Sequence, residues 1–204
     1  MIEIRTYRPS DLDALYAISL ATGHGGKDAS HLYDDPRLMG HIYAAPYAIL
    51  NPDLVLVAAD EQSVVGYAAG TTDTVSWQAE LERSWWPTLR AKYAFPGELP
   101  SPLWSPDQRR AFIIHKPETC PRSVAHVYPA HLHLNLLPKA QGQKLGSALF
   151  ETWYSLAAKA GASSVHIGTN RTNSRSFQFW SGQGFKELNP EESLGTKTVW
   201  MGKN

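Results

Sequence analysis

The sequence predicts a mixed α/β fold in which helices pack on one β-sheet. From Ala130 onward the pattern runs strand, turn, amphipathic helix, strand, helix, and residues 54–59 and 64–71 form two β-rich runs parted by the polar turn Asp60-Glu61-Gln62-Ser63. With 204 residues, 43% of them apolar and 19% charged, the chain can bury one sizeable core and is expected to form a single domain, 1–204.

Taken in order, Ile2 and Ile4 alternate with Glu3 and Arg5, which reads as a first strand, and Arg8, Pro9 and Ser10 then turn the chain. Ser10 is placed to cap a helix with Asp13 at its third position. Leu12, Leu15, Tyr16 and Ala17 lie on or near one face of it, and Gly23 stops it. The runs 54–59 and 64–71 follow as an antiparallel hairpin, strands two and three. The stretch 77–121 departs from this regularity. Trp85, Trp86, Tyr93, Phe95, Trp104 and Phe112 stand there among prolines, which predicts short helices joined by rigid turns. An insertion of this length serves either as a substrate wall or as an accessory core packing its own aromatics.

Strand four is expected over 130–137, a turn over 138–142, a long helix over 143–160, strand five over 164–169 and a second helix over 174–182. In the long helix Leu145, Ala148, Leu149, Thr152, Trp153, Leu156 and Ala160 recur at spacings of three and four, so one face packs on the sheet. Gly184-Phe185 and 198–201 supply two further strands, joined by the polar segment 189–196.

The segment from Leu134 to Ser147 carries most of the chemistry. A strand that ends in a glycine-containing turn opening into a helix leaves the first helical amides unpaired, and the helix macrodipole adds partial positive charge at that spot. The product is an anion cradle suited to a pyrophosphate; an ordinary strand-to-helix turn accounts for the same residues. Two nucleotide motifs fail here, because Lys144 follows Gln143 rather than the glycine of a phosphate-binding GxxxxGK loop, and GxGxxG does not occur.

His131 and His133 alternate with Leu132 and Leu134, so both imidazoles and Asn135 share one face of strand four. Histidine titrates in the range useful to a general base near neutral pH. The competing reading is a pair of imidazoles hydrogen-bonded within a partly polar sheet face. His115 or His126 would be needed to complete a zinc site, but no cysteine cluster or His/Glu helix motif accompanies the pair, and no metal is expected. Asp73, following Gly70-Thr71-Thr72, stands either to bind a substrate cation or to cap a turn. Tyr67, Tyr128 and Tyr154 are candidate acids, Tyr154 sharing the buried side of the long helix.

Gln141-Gly142-Gln143-Lys144-Leu145-Gly146 resembles the signature of the GNAT superfamily of acetyl-coenzyme A dependent N-acetyltransferases: Gln or Arg, two residues, Gly, one residue, Gly or Ala. Lys144 takes the central glycine's place. The opening Ile4-Arg5-Thr6-Tyr7-Arg8-Pro9-Ser10-Asp11 looks like the family's first strand and turn. Asn173, Ser176, Phe179, Gly184 and Phe185 match its later pattern, with Trp180 where a tyrosine is usual. Tyr128-Pro129-Ala130-His131-Leu132-His133-Leu134-Asn135 is more closely similar to the acetyltransferase-like domain of nucleocytoplasmic O-GlcNAc hydrolase and its free-standing bacterial relatives.

The resemblance implies a three-layer fold on a mostly antiparallel sheet, with strands four and five parallel and splayed. It implies acetyl-CoA as cofactor and direct attack by a primary amine, either a small molecule or a lysine-type acceptor, within a ternary complex. The coenzyme-binding set is then Leu134, Leu136, Gln141, Gly142, Gln143, Lys144, Leu145, Gly146, Ser147, Asn173, Ser176 and Trp180, and the catalytic candidates are His133, Asn135, Asp73 and Tyr128. An indole cannot reprotonate a departing thiolate as the family's tyrosine does. The alternative is therefore a catalytically weak or inactive coenzyme-binding or protein-interaction module.

Composition narrows the partners. The 19 Lys+Arg and 19 Asp+Glu cancel with no basic cluster, which excludes a nucleic-acid footprint or a polybasic membrane anchor. The apolar runs fall well short of the roughly 20 residues a membrane helix needs. Cys120 has no second cysteine to pair with, and the residues after Met1 do not form a signal peptide's apolar stretch, so a cytoplasmic location is expected.

Overall fold

The computed structural model describes residues 2–191 and 197–204; positions 192–196 of the expected polar connection 189–196 lie outside the described residues. The strands are β1 (Glu3–Thr6), β2 (Val55–Ala59), β3 (Val64–Thr71), β4 (Ala130–Leu136), β5 (Val165–Asn170), β6 (Lys186–Leu188) and β7 (Thr198–Lys203). They form one seven-stranded sheet in the order β1-β2-β3-β4-β5-β7-β6. Every neighbouring pair is antiparallel except β4 and β5, which are parallel because α8 (Leu145–Lys159) crosses over between them.

The sheet separates two cores, and β2 shows why. Its side chains alternate with the strand period of two, so Val55 and Val57 enter one cluster while Leu56 enters the other. On the first face lie α1 (Leu12–Ala21), α2 (Leu38–Tyr43), α3 (Ala45–Leu50), α4 (Thr74–Ser84), α5 (Trp86–Lys92) and α6 (Pro106–His115), packing Ile18, Tyr47, Trp77 and Trp86 against Tyr67 and Ala69. On the second, α8 and α9 (Ser174–Gly182) press Leu149, Phe150, Trp153 and Trp180 onto Leu132, Val165, Ile167 and Met201. The helix α7 (Arg122–Val127) leads into β4. Trp153 is fully buried, and its indole N–H donates to the Leu54 carbonyl at 3.0 Å, tying α8 to the entrance of β2.

Several expectations are corrected. Ser10 does not cap α1. A short 3-10 turn, Pro9–Asp11, precedes that helix, and the Asp11 carboxylate accepts the Arg8 amide at 2.8 Å and both Arg5 guanidinium nitrogens at 2.7 and 2.8 Å. A charged fork on a carboxylate is a stronger contact than a serine cap. The buried stripe of α8 is Gly146, Leu149, Phe150, Trp153 and Ala157; Ala148 and Thr152 are exposed, so the helix is rotated by about one position from the expected face. The strand expected at Gly184-Phe185 begins only at Lys186, because Phe185 packs into the aromatic core around Trp180. The sequence carries no clear signal for α2 and α3, since Pro46 reads as a breaker, yet Pro46 sits in the first turn of α3, where its missing N–H leaves no hydrogen bond unmade.

The feature that positions the site is where pairing stops. β4 follows β3 from Thr71↔His131 to Gly66↔Leu136, but it meets β5 only at Ala130↔Val165 and His131↔His166. Beyond His131 the two parallel strands part.

Candidate active site

The split is lined by backbone. Ala130 N–H donates toward β5, to Ser164 O at 3.3 Å, and Leu137 N–H donates toward β3, to Val65 O at 2.9 Å. Strand alternation then turns the backbone groups of Leu134 and Leu136 into the split, past the last β4–β5 pair. The Leu136 carbonyl accepts from Gln141 Nε2 at 2.8 Å, and Gln141 Oε1 accepts from Arg175 Nη2 at 2.6 Å. Gln141 thus staples the end of β4 to the first turn of α9. Arg175 belongs to no motif and was not anticipated; only the folded proximity of α9 to the loop reveals it.

After Gln141 N–H, which donates to Pro138 O, the next paired amide is Ala148 N–H, which donates to Lys144 O. Between them, the amides of residues 142–147 find no acceptor among the described residues. They comprise a turn and the first turn of α8, the place where helix geometry leaves donors unused and the macrodipole is positive. The helix starts at Leu145 rather than at 143, because Lys144 adopts φ 60°, ψ 4° as its N-cap. It is the only non-glycine residue with positive φ among the described residues. The left-handed conformation costs an L-residue roughly 1–2 kcal/mol, the physical reason for a glycine in the signature at this position. The lysine side chain is exposed.

Gly146 lies in the buried stripe, where a Cβ would come within 3.2 Å of Phe179 Cε2 and 3.5 Å of Leu136 Cδ1. Asn173 caps α9, its Oδ1 accepting the Ser176 amide at 3.1 Å, while Ser147 Oγ accepts from Gln183 Nε2 at 2.9 Å and Gln143 Nε2 donates to Lys139 O at 3.1 Å. These side chains hold the loop, α8 and α9 in place around the amides. Trp180 does not fit the role expected of it. It is 6% exposed and packs edge-on against Phe150, Phe179 and Phe185, and it is Phe179 that meets Gly146.

The opposite side of β4 carries the histidines, and they differ. Thr74 Oγ1 donates to Pro129 O at 2.7 Å, so it accepts from His131 Nδ1 at 2.6 Å, and His131 Nε2 in turn accepts from Tyr47 O–H at 2.6 Å. Both nitrogens are engaged, and burial, with His166 and His133 nearby, holds His131 neutral. His133 has no hydrogen-bond partner among the described residues; its ring lies 5.6 Å from that of Tyr43 and 5.5 Å from that of Tyr47. Burial, reinforced by His166, lowers its pKa to about 4. His133 is therefore a neutral imidazole with free polar atoms on the sheet face beside the split.

The remaining candidates make contacts within the fold. Asn135 Nδ2 donates to Thr22 Oγ1 at 2.6 Å, anchoring β4 to the end of α1. Asp73 caps α4: its carboxylate accepts the Ser76 amide at 3.0 Å and the Ser76 hydroxyl at 2.9 Å, contacts that hold it below the usual carboxylate range. The Tyr128 ring lies over Gly202, and its carbonyl accepts from His166 Nδ1 at 2.6 Å. Tyr67 is buried against Ser19, and desolvation raises it to about 12. Tyr154 packs beside Phe150. His115 Nε2 pairs with the Tyr93 carbonyl at 2.7 Å.

No protein-family profile matches the chain. The solved structure of SsHAT superposes on it with a TM-score of 0.88 at 33% identity, covering 99% of this chain and 97% of SsHAT. The PaiA N-acetyltransferase of Thermoplasma acidophilum, solved in complex with coenzyme A, shares the fold with a TM-score of 0.55 at 17% identity, covering 100% of this chain and 99% of PaiA. The chain belongs to the GNAT superfamily of N-acetyltransferases. Protein O-GlcNAcase of Rattus norvegicus is 21% identical over 210 residues that take in 98% of this chain, and the chain spans 22% of that relative's length. No helix among the described residues is long and apolar enough to cross a membrane.

Proposed function

We propose that this GNAT protein binds acetyl-CoA on the 142–147 amides and along the β4–β5 split, and transfers the acetyl group to a primary amine bound on the His133 face. The unbroken run of unpaired amides directly above a sheet that has come apart carries the reading. The residues present fit the coenzyme: the amides suit a pyrophosphate, Gly146 keeps a Cβ out of the space beside Phe179, and Arg175 and Lys144 add positive charge at the same end.

Bound acetyl-CoA supplies an activated acetyl thioester. The N–H groups of Leu134 and Leu136 offer donors inside the split for a carbonyl oxygen, an interaction of the kind worth about 3 kcal/mol in acyl transfer. His133, neutral at pH 7, accepts an N–H of the amine and orients its lone pair. An amine nitrogen loses basicity as it becomes acylated, so a base as weak as this imidazole can take the proton released at that stage. The aromatic walls from Tyr43 and Tyr47 exclude water and favour the uncharged amine.

A second reading has its own observation. The side chain at the position of the family's tyrosine lies in the aromatic core, so no acid stands there for a leaving thiolate, as a coenzyme-binding protein without turnover would have it. One experiment separates the two. Calorimetry with acetyl-CoA, paired with thiol release over a panel of amines and lysine peptides, should give micromolar binding and acceptor-dependent release. Binding without release on any acceptor supports the second reading, and no heat at high micromolar ligand defeats both.

A further inference from the structure

Arg110 on α6 is a half-buried cation with no carboxylate partner. Nε donates to Tyr33 O–H at 3.0 Å and Nη1 to Tyr43 O–H at 2.8 Å. A guanidinium has five N–H donors; the second on Nη1 and both on Nη2 have no acceptor among the described residues. No Asp or Glu oxygen lies within 4.0 Å of it among those residues, and the nearby acidic group, Glu118, is exposed and acts only at longer range. Every other arginine that the sheet-and-helix body draws into partial burial is matched: Arg5 by Asp11 and Arg90 by Glu82.

A partly buried guanidinium that has free donors and no carboxylate in contact is incompletely paired, and an anionic ligand is what would complete it. The position says what that is. The Arg110 guanidinium sits 5.6 Å from the centre of the Tyr43 ring, and that same ring sits 5.6 Å from His133. The imidazole and the guanidinium therefore lie within about twice 5.6 Å of each other, joined by one phenol. A small molecule spans that distance with an amine at one end and an anion at the other.

We propose that Arg110 is an acceptor-binding residue that receives an anionic group, a carboxylate or a phosphate, so that the acceptor is a small amine carrying a negative charge rather than a simple cationic amine. The proposal deepens the acetyltransferase reading and rests on the His133 face being the acceptor side. It also assigns part of the aromatic-rich insertion: α6 delivers a charge to the site, while the rings around it form the wall. Planar bidentate recognition of an oxyanion is what a guanidinium does and an ammonium does not.

The test measures binding of matched pairs to the whole protein by saturation-transfer NMR: β-alanine and 5-aminopentanoate beside their amides, and O-phosphoethanolamine beside ethanolamine. The member that carries the oxyanion should bind wild type at least about tenfold more tightly than its partner that lacks it. Preference confined to the amino acids or to the phosphate ester identifies which oxyanion the site takes. Arg110→Met should abolish the preference and Arg110→Lys should keep part of it, with acetyl-CoA affinity unchanged by calorimetry in both. Both variants should still melt cooperatively, so that a lost preference is read on folded protein. Equal binding of both members of every pair, no binding by any anion, or a preference surviving in Arg110→Met overturns the proposal. A lowered melting temperature with intact preference assigns Arg110 to scaffolding and overturns it too. The parent reading fails separately: if acetyl-CoA does not bind but the anion preference holds and needs Arg110, the anion site stands and the acetyltransferase does not.

Discussion

The two sides of β4 are built from different materials. On the side of the split, the proposed function rests on main-chain amides: residues 142–147, with Leu134 and Leu136 below them. On the other side the proposal rests on side chains, His133 on β4 among Tyr43 and Tyr47 from the adjoining α2 and α3 and Arg110 from the distant α6. A backbone site tolerates almost any residue that permits the geometry, so it is robust and general. A side-chain site depends on each residue and on the scaffold that delivers it, so it is specific. This division suits a protein that must hold one coenzyme and choose one acceptor.

The comparison breaks most severely at Gly146. Gly146→Asp places bulk against Phe179 and a negative charge at the positive end of α8, and acetyl-CoA affinity should fall about 100-fold or more by calorimetry while the protein still melts cooperatively. Unchanged affinity would put the pyrophosphate elsewhere. On the other side, His133→Ala should lower kcat/KM by about 100-fold and leave acetyl-CoA affinity intact. Because burial holds this imidazole near 4, the wild-type acid limb assigned to it belongs near pH 4 rather than near the usual histidine value of about 6.5. A limb near 6.5 that vanishes in the variant would show that the side chain is solvated and not where the fold places it.

The loop was legible in the sequence because its geometry is local. A strand end, a glycine turn and a helix start are contiguous, and Gln141-Gly142-Gln143-Lys144-Leu145-Gly146 brings them in order. The sheet was legible for the same reason, from period-two runs and one amphipathic helix. Arg175, Arg110 and Tyr43 were not, since their roles arise from contacts across the fold that no spacing encodes. The two histidines show the limit most sharply. Alternation correctly put His131 and His133 on one face, but only Thr74 and Tyr47, from α4 and α3, decide that the first is a scaffold and the second is free. Trp180 fits its sequence pattern and yet is turned by Phe150 and Phe185 into the core.

The buried histidines also connect the sides through stability. His41, hydrogen-bonded through Nδ1 to Tyr93, and His166, hydrogen-bonded to the Tyr128 carbonyl, both have pKa values lowered to about 4, chiefly by burial. Unfolded, each titrates near 6.5, so between those values the unfolded chain binds more protons than the folded one, and stability drops as pH falls. Each contributes a loss of up to about 1.4 kcal/mol per pH unit in that window. Melting temperature should be flat above about pH 7 and decline from 6.5 toward 4. His166→Gln should flatten the decline, since its side chain keeps a donor for the carbonyl without titrating; an unaltered slope would assign the acid sensitivity to other groups.

The smallest effect concerns the residue where the loop departs from its family pattern. Lys144 holds the left-handed conformation that glycine adopts freely, and its side chain is exposed with no partner among the described residues. Lys144→Gly should therefore relieve roughly 1 kcal/mol of backbone strain, partly offset by the greater freedom of glycine in the unfolded chain, and raise the melting temperature slightly. Its effect on acetyl-CoA sharpens the division between backbone and side-chain recognition. If the amides alone grip the pyrophosphate, affinity in the glycine variant holds or improves and its salt dependence is unchanged. If the lysine folds over to add a charge-assisted contact, affinity falls severalfold at low salt, and the difference from wild type shrinks as ionic strength rises. A titration of both proteins at two salt concentrations separates these outcomes, and the second would mean that the loop has exchanged conformational ease for charge.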